Sequence, residues 1–467
     1  SRGWLVCDGR LLIGKYGDVN WWRGNIRPGS AASFGVNLTR FTPGRVGPGL
    51  TDDLSDVARG MIAQGQVALD YHYGLWYDRR REGHERVREM DGGVWPPFYE
   101  QPFARSGIGT AWDGLSKYDL TKYNPWYWRR LRTFAAICDR DGLVLFNEDY
   151  FQHNVLEAGA HWVDCPWRTV NNINHTGFPE PPPFAGDKRI FMAPQFYDVS
   201  QPVRRALHRA YIRQCLDDFT NEANVIQFTS GEFTGPLSFE QFWLDTIADW
   251  ERDRGQESGQ SPSGPLVALA ATKDVQDAIL SDPKRSAVVN VICFRYWWRT
   301  AKGLFAPKGG QNLSPRQFER RWKGGAPTDE DLAAMAAEYR PRFPKKAIIA
   351  SGEDVGFQGR WAFVCAGGSL PALPKTTDTN LLAAIPKMRP CLADNANRVW
   401  ALSEPGKQML IYCGGDAPAE IDLSAETGEF RLHLINTRTG QASPQFQTVQ
   451  GGGKVTVPPG VDWLTRQ

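Results

Sequence analysis

The chain predicts an α/β fold: a (β/α)8 TIM barrel with a small C-terminal antiparallel β-sandwich. Three observations carry this expectation. Short apolar runs alternate with helical patterns from about residue 34 to 375, as βαβ units do. No GxGxxG follows the first run, which disfavours a dinucleotide-binding sheet. After about residue 390 the texture changes to short alternating runs broken by Gly, Pro, Asn and Asp, the pattern of a sandwich. The expected domains are therefore 1–390 and 391–467.

The candidate strands are FGVNLTRF (34–41), QVALDYHY (66–73), GLVLFNEDY (142–150), NVIQFTSGEF (224–233), PLVALAAT (265–272), AVVNVICFRYWW (287–298), KAIIASGED (346–354) and SLPALP (369–374). Helix start signals lie between them. Thr51-Asp52-Asp53 precedes LSDVARGMIAQG, Asn124-Pro125 opens WYWRRLRTFAAICDRDG, Ser238 precedes FEQFWLDTIADWERD, and Thr328-Asp329 precedes EDLAAMAAEYRPRF. DTNLLAAIPKM (378–388) predicts a helix leading to the sandwich. Two long connections, about 78–123 and 151–202, follow the second and third strands. Both leave carboxyl ends of strands, the face on which barrel active sites are built.

The composition narrows the function. Lys+Arg is 54 and Asp+Glu 52, a net charge of +2, which argues against a nucleic-acid partner. No apolar run reaches the roughly 18 residues a membrane span needs. The 18 Trp, 47 Gly and 32 Pro suggest shaped, aromatic loops, suited to the flat apolar faces of sugars. None of the eight cysteines forms a CxxC pair, and Cys138, Cys215, Cys293 and Cys365 sit in apolar patterns expected to bury free thiols. No HExxH or other ligand spacing is present, so no metal or cofactor is expected; His72, His153, His161 and His175 suit hydroxyl contacts better.

The strand ends collect the chemistry. Glu232 ends the fourth run between Gly231 and Gly235, and Glu353 sits in the same relative place three strands later. Two carboxylates across a barrel mouth can serve one glycosidic bond: about 5–5.5 Å apart they retain configuration, about 6.5–9.5 Å apart they invert it. Asp354 competes for the second role, with Asp70, Glu148 and Asp149 behind it. Arg40, His72, Trp76, Glu148, His153, Arg295, Tyr296, Trp297 and Asp354 are the expected substrate contacts. Either Glu could instead be a charge at a helix N-terminus, and any one Trp could be packing. Trp243 and Trp250, seven apart on one helix, are expected in the core. Arg40, Arg79 and Arg295 either pair with protein carboxylates or answer an acidic sugar.

The segment NVIQFTSGEFTGPLSFEQFWLDTIADWE resembles the strand-four region of apiosidase-like barrel glycosidases, and GRWAFVCAGGSLPALP resembles the region before their last strand. The tail DAPAEIDLSAETGEFRLHLINTRTGQ is similar to the small sandwich that follows those barrels, a collagen-binding-type domain. ALDYHYGLWYDRRR, VWPPFYEQPFARSG, DGLSKYDLTKYNPWYW and AGDKRIFMAPQFYDVS look like the bacterial DUF6298 family. The resemblance implies Glu232 as acid/base and Glu353 as nucleophile. Many related retaining barrels carry Asn before the strand-four Glu; here Gly231 stands there.

The resulting expectation is a secreted or periplasmic bacterial glycoside hydrolase, its signal peptide removed, acting on a carbohydrate polymer or oligomer. A non-catalytic carbohydrate-binding barrel and a polysaccharide lyase using Tyr150 or Tyr296 with an Arg are the alternatives.

Overall fold

The computed structural model describes residues 3–18, 35–73, 81–82, 86–87, 96–156, 162–180, 192–231, 233–258, 265–313, 318–319, 321–351 and 358–466. Seven strands form one parallel sheet: β1 (Lys15–Asp18), β2 (Gln66–Tyr71), β3 (Val144–Tyr150), β4 (Val225–Ser230), β5 (Leu266–Leu269), β6 (Val291–Phe294) and β7 (Ala347–Ala350). They pair in chain order. The eighth position is held by a parallel bridge between Ile349 and Ser369, and Gly14 N donates to Pro371 O at 3.0 Å. The segment after β7 thus bridges β7 at Ile349 and reaches back to the residue before β1.

The first strand differs from the expectation. Arg40–Phe41 is a two-residue strand paired antiparallel with Phe98–Tyr99, outside the barrel sheet. The first stave is Lys15–Asp18, which pairs with β2. Its sequence, KYGD, has too few apolar residues to announce a buried strand.

The helices follow their caps. α1 (Leu54–Gln64) starts at Asp53, α2 (Pro125–Asp141) at Asn124 and α3 (Pro202–Asp218) at Gln201, each side chain accepting first-turn N–H groups. α4 spans Leu237–Ser258 and α5 Lys273–Ser281. α6 (Asp329–Tyr339) begins with a capping box between Thr328 and Asp331.

Strand parity separates lumen from shell. Register aligns Asp18, Asp70, Phe146 and Ile226 across β1 to β4, so these residues and their i+2 neighbours share a face. Tyr16, Phe146 and Phe228 pack there, with centroids 4.8 and 6.2 Å apart, the first pair tilted and the second edge-to-face. Alternate residues face the helices. Asp149 accepts from Trp243 Nε1 of α4 at 2.7 Å, Thr229 donates to Glu240 of α4 at 2.7 Å, and Gln227 donates to the Cys215 carbonyl of α3.

From Arg389 the chain forms a six-stranded antiparallel sheet, with Ala419–Asp422 and Lys454–Val457 pairing as a second, two-stranded sheet. Ile411, Phe430, Leu432, Val455, Val457 and Leu464 fill the space between them. The other face of the large sheet, with Trp400, Leu402 and Leu410, is continuous with the barrel core.

Candidate active site

The carboxyl-end mouth of the lumen gathers side chains from six staves or the residues just past them. Arg295, one residue past β6, reaches Asp70 of β2 at 2.6 Å, with side-chain exposures of 3% and 0%. Its guanidinium carbon lies 5.4 Å from the Phe228 ring centroid on β4 and 5.9 Å from that of Tyr16 on β1. Burial pushes the Asp70 pKa up; Arg295 first, then Glu148 and Tyr16, pull it back. Neither Asp70 oxygen receives a well-aligned hydrogen bond among the described residues, so proximity of charge holds this pair. The same charges keep Arg295 protonated despite its burial. Cys293 and Ser351, on and after β6 and β7, contact each other at 3.1 Å and extend the ring.

Glu148 reaches from β3 to the end of β4, where its carboxylate accepts the Gly231 N–H. A Cβ at Gly231 would collide with both carboxyl oxygens, which explains the glycine by close approach. Gln152 binds the same turn from its other side. Its backbone N–H donates to Ser230 Oγ at 3.0 Å, its Nε2 donates to Thr234 Oγ1 at 3.1 Å, and its Oε1 accepts from Thr234 N at 2.9 Å and Tyr197 Oη at 2.8 Å. The chain on both sides of position 232 is therefore fixed by β3 and the turn after it.

Glu232, Glu353, Asp354 and Trp76 lie outside the described residues, as does the side chain of His153. Their strands are placed: Ser230 ends β4 and Ala350 ends β7. In the ring order β4 and β7 are separated by β5 and β6. His72, just past β2, is buried and stacks on Phe151 at 3.9 Å with rings 4° from parallel. Tyr296 is buried beside Arg295, whose guanidinium lies 5.8 Å from its ring.

Several expected roles are overturned. Arg40 is buried and binds Asp52 through Nε at 3.0 Å and Nη2 at 2.7 Å, so its charge is answered within the protein. Arg295 is answered by Asp70, and Arg79 is outside the described residues. Trp297 is fully buried between Phe294 and Tyr339, with the Lys273 ammonium 4.5 Å above its ring. It packs the shell and offers no face to a sugar. Asp149 likewise points to α4. Tyr150 sits in an aromatic cluster, its hydroxyl 3.0 Å from His208 Nδ1, and burial lifts its pKa far above the usual phenol value. A lyase base at Tyr150 is thereby disfavoured. Trp243 and Trp250 are core residues as expected. No group of three potential metal ligands occurs among the described residues.

Sequence reasoning placed Gln152 after the third strand without a role, and missed Tyr16, Cys293 and Ser351 as mouth residues. The only available signal was Gly231, which marks a close approach without naming the partner.

Solved structures similar to this chain include a glycoside hydrolase family 5 protein from Bacteroides vulgatus ATCC 8482, 12% identical, covering 98% of this chain and 94% of that one, with a TM-score of 0.48. A GH30 endoxylanase from Clostridium papyrosolvens C71 is 12% identical over 98% and 97%, with a TM-score of 0.32. Endo-glycoceramidase II from Rhodococcus sp. is 14% identical over 100% of both chains, also at 0.32. No curated protein matches the sequence. Residues 1–388 match the family described as "Domain of unknown function (DUF6298)". A match over that much of the barrel is decisive for membership: the chain belongs to the DUF6298 family.

Proposed function

We propose that this chain is a secreted or periplasmic glycoside hydrolase. It would cleave a glycosidic bond in a plant or bacterial oligo- or polysaccharide with retention, Glu232 acting as acid/base and Glu353 as nucleophile. The observation that carries this reading is placement. In sequence Glu232 and Glu353 follow the carboxyl ends of β4 and β7, three staves apart in the sheet order, which is where two carboxylates serving one bond would be expected.

The described residues fit that chemistry. Glu148 and Gln152 bind Gly231 and Thr234, the described residues on either side of position 232. Protonated Glu232 would deliver its proton to the leaving oxygen as Glu353 attacks the anomeric carbon. The ionised Glu232 would then take a proton from water as the glycosyl–enzyme bond breaks. The Asp70–Arg295 pair is internally neutralised, so the mouth does not demand an anionic sugar ring.

The test is product analysis over a panel of plant and bacterial polysaccharides. Hydrolysis releases new reducing ends without an unsaturated product. An ultraviolet-absorbing unsaturated sugar would establish a lyase, and binding without turnover would establish a binding barrel.

A further inference from the structure

A groove of about 1050 Å³ runs along the flank of β1 and shares Tyr16 and Ser351 with the mouth. Its walls come from the end of α1 with Gly65 and Gln66, from the segment Gln358 to Lys375, and from Tyr412, Thr437 and Arg438 of the antiparallel domain. Lys15, Arg360, Lys375 and Arg438 all line it, and all four are exposed. Among the described residues none of them is in an ion pair; Lys375 donates to the Ile62 carbonyl. The one carboxylate in the lining, Asp329, is already engaged. Its oxygens accept the backbone N–H groups of Arg360 at 2.6 Å, Ala362 at 2.8 Å and Phe363 at 3.3 Å. Four cations against one carboxylate give the groove a formal charge of +3, whereas the whole chain carries +2. A concave surface lined by one sign of charge focuses its field on the ligand it holds.

We propose that this groove, continuous with the mouth, is a binding site for an anionic oligosaccharide, a glycan carrying carboxylate or sulfate groups along its length. That the ligand is a glycan rests on the proposed function; that it is anionic rests on the groove alone. The volume exceeds what a single small anion needs and matches the upper end of ordinary ligand sites. The cations come from three separate chain segments, which suits charges spaced along a chain. Trp361 is buried and its indole N–H donates to the Thr437 carbonyl, so this aromatic offers no open face for a nucleobase. The acidic-sugar specificity that the sequence suggested for the mouth, where Arg40 and Arg295 are paired, thus belongs at the joint between barrel and sandwich.

Calorimetric titration of the full chain tests this. The probes are an oligogalacturonate, its carboxyl-reduced counterpart and inorganic phosphate, each against the wild type and Arg360→Ala/Arg438→Ala. The wild type should bind the oligogalacturonate, more weakly as salt rises. The double variant, unchanged in circular dichroism, should bind at least about tenfold more weakly, equivalent to roughly 1.4 kcal/mol. Equal binding by both proteins, equal binding of the reduced oligomer, phosphate binding as tight as the oligomer, or no binding by the wild type would each overturn the proposal. Neither arginine lies in the mouth, so turnover on a neutral substrate should be unchanged. Failure of binding here leaves the hydrolase reading standing, and absence of hydrolysis leaves this site standing.

Discussion

The carboxylate of Glu148 fills the space that a side chain at Gly231 would need, and it accepts the Gly231 N–H. Two adjacent strands thereby share one small volume. Gly231→Ala should destabilise the fold by about 1–3 kcal/mol through overpacking. Glu148→Gly in the same chain should relieve most of that overlap, giving a coupling of roughly 0.5–3 kcal/mol in a double-mutant cycle. Urea unfolding of the four proteins measures it, and strict additivity would contradict the contact.

Asp70 and Arg295 form a buried pair, and breaking such a pair leaves one charge uncompensated. Arg295→Met should cost about 3–5 kcal/mol, and Asp70→Leu/Arg295→Met together should cost less than Arg295→Met alone. Thermal unfolding of the three variants against the wild type provides the comparison.

Buried carboxyls outside the mouth predict how stability varies with pH. Burial lifts Asp149 and Asp462 to about 7 and Glu240 to about 8. These groups hold protons in the folded state that the unfolded chain has already released. Their contribution is complete below the ordinary carboxyl range and is lost as pH rises through about 7 to 8. Asp462 is fully buried, and neither of its oxygens has a hydrogen-bond partner among the described residues. Asp462→Asn should therefore flatten the decline on the alkaline side. Urea midpoints taken between about pH 5 and pH 8 check both the slope and its reduction.

The antiparallel domain should act on stability and leave turnover per folded molecule unchanged. Trp400, Leu402, Leu410, Ile435 and Val461 belong to the same buried cluster as the barrel. A chain ending at residue 388 would expose that surface, so it should express poorly or aggregate. Trp400→Ala in the full chain should cost about 3–5 kcal/mol while leaving the specific activity of the folded fraction unchanged.

Local signals were the most legible part of the fold. Asp53, Asn124, Thr328 and Asp378 cap helices where the sequence places them, because capping depends on a few adjacent residues. The first stave was hidden because KYGD lacks a hydrophobic pattern, while FGVNLTRF alternates and yet pairs with a loop strand. At the strand ends the sequence names the residue but not its face. Glu148 enters the lumen side while its neighbour Asp149 faces α4, a one-residue difference in parity. Trp297 passed for a sugar platform because a Trp at a strand end has the same composition in core and cleft. Gln152 left no periodic trace, since its role comes from contacts with residues about eighty positions away.

The central claim is that Glu232 and Glu353 together cleave a glycosidic bond. It is tested most directly by measuring reducing-end release by Glu232→Gln and Glu353→Gln on whichever glycan the wild type cleaves. Both variants should keep substrate binding; Glu232→Gln should lose about 10²–10⁴-fold in kcat, the usual contribution of a positioned proton donor, and Glu353→Gln, which lacks the nucleophile, at least as much. Wild-type turnover in either folded variant would contradict the assignment and shift the chemistry to other carboxylates of the mouth, Asp70 and Glu148 first among them.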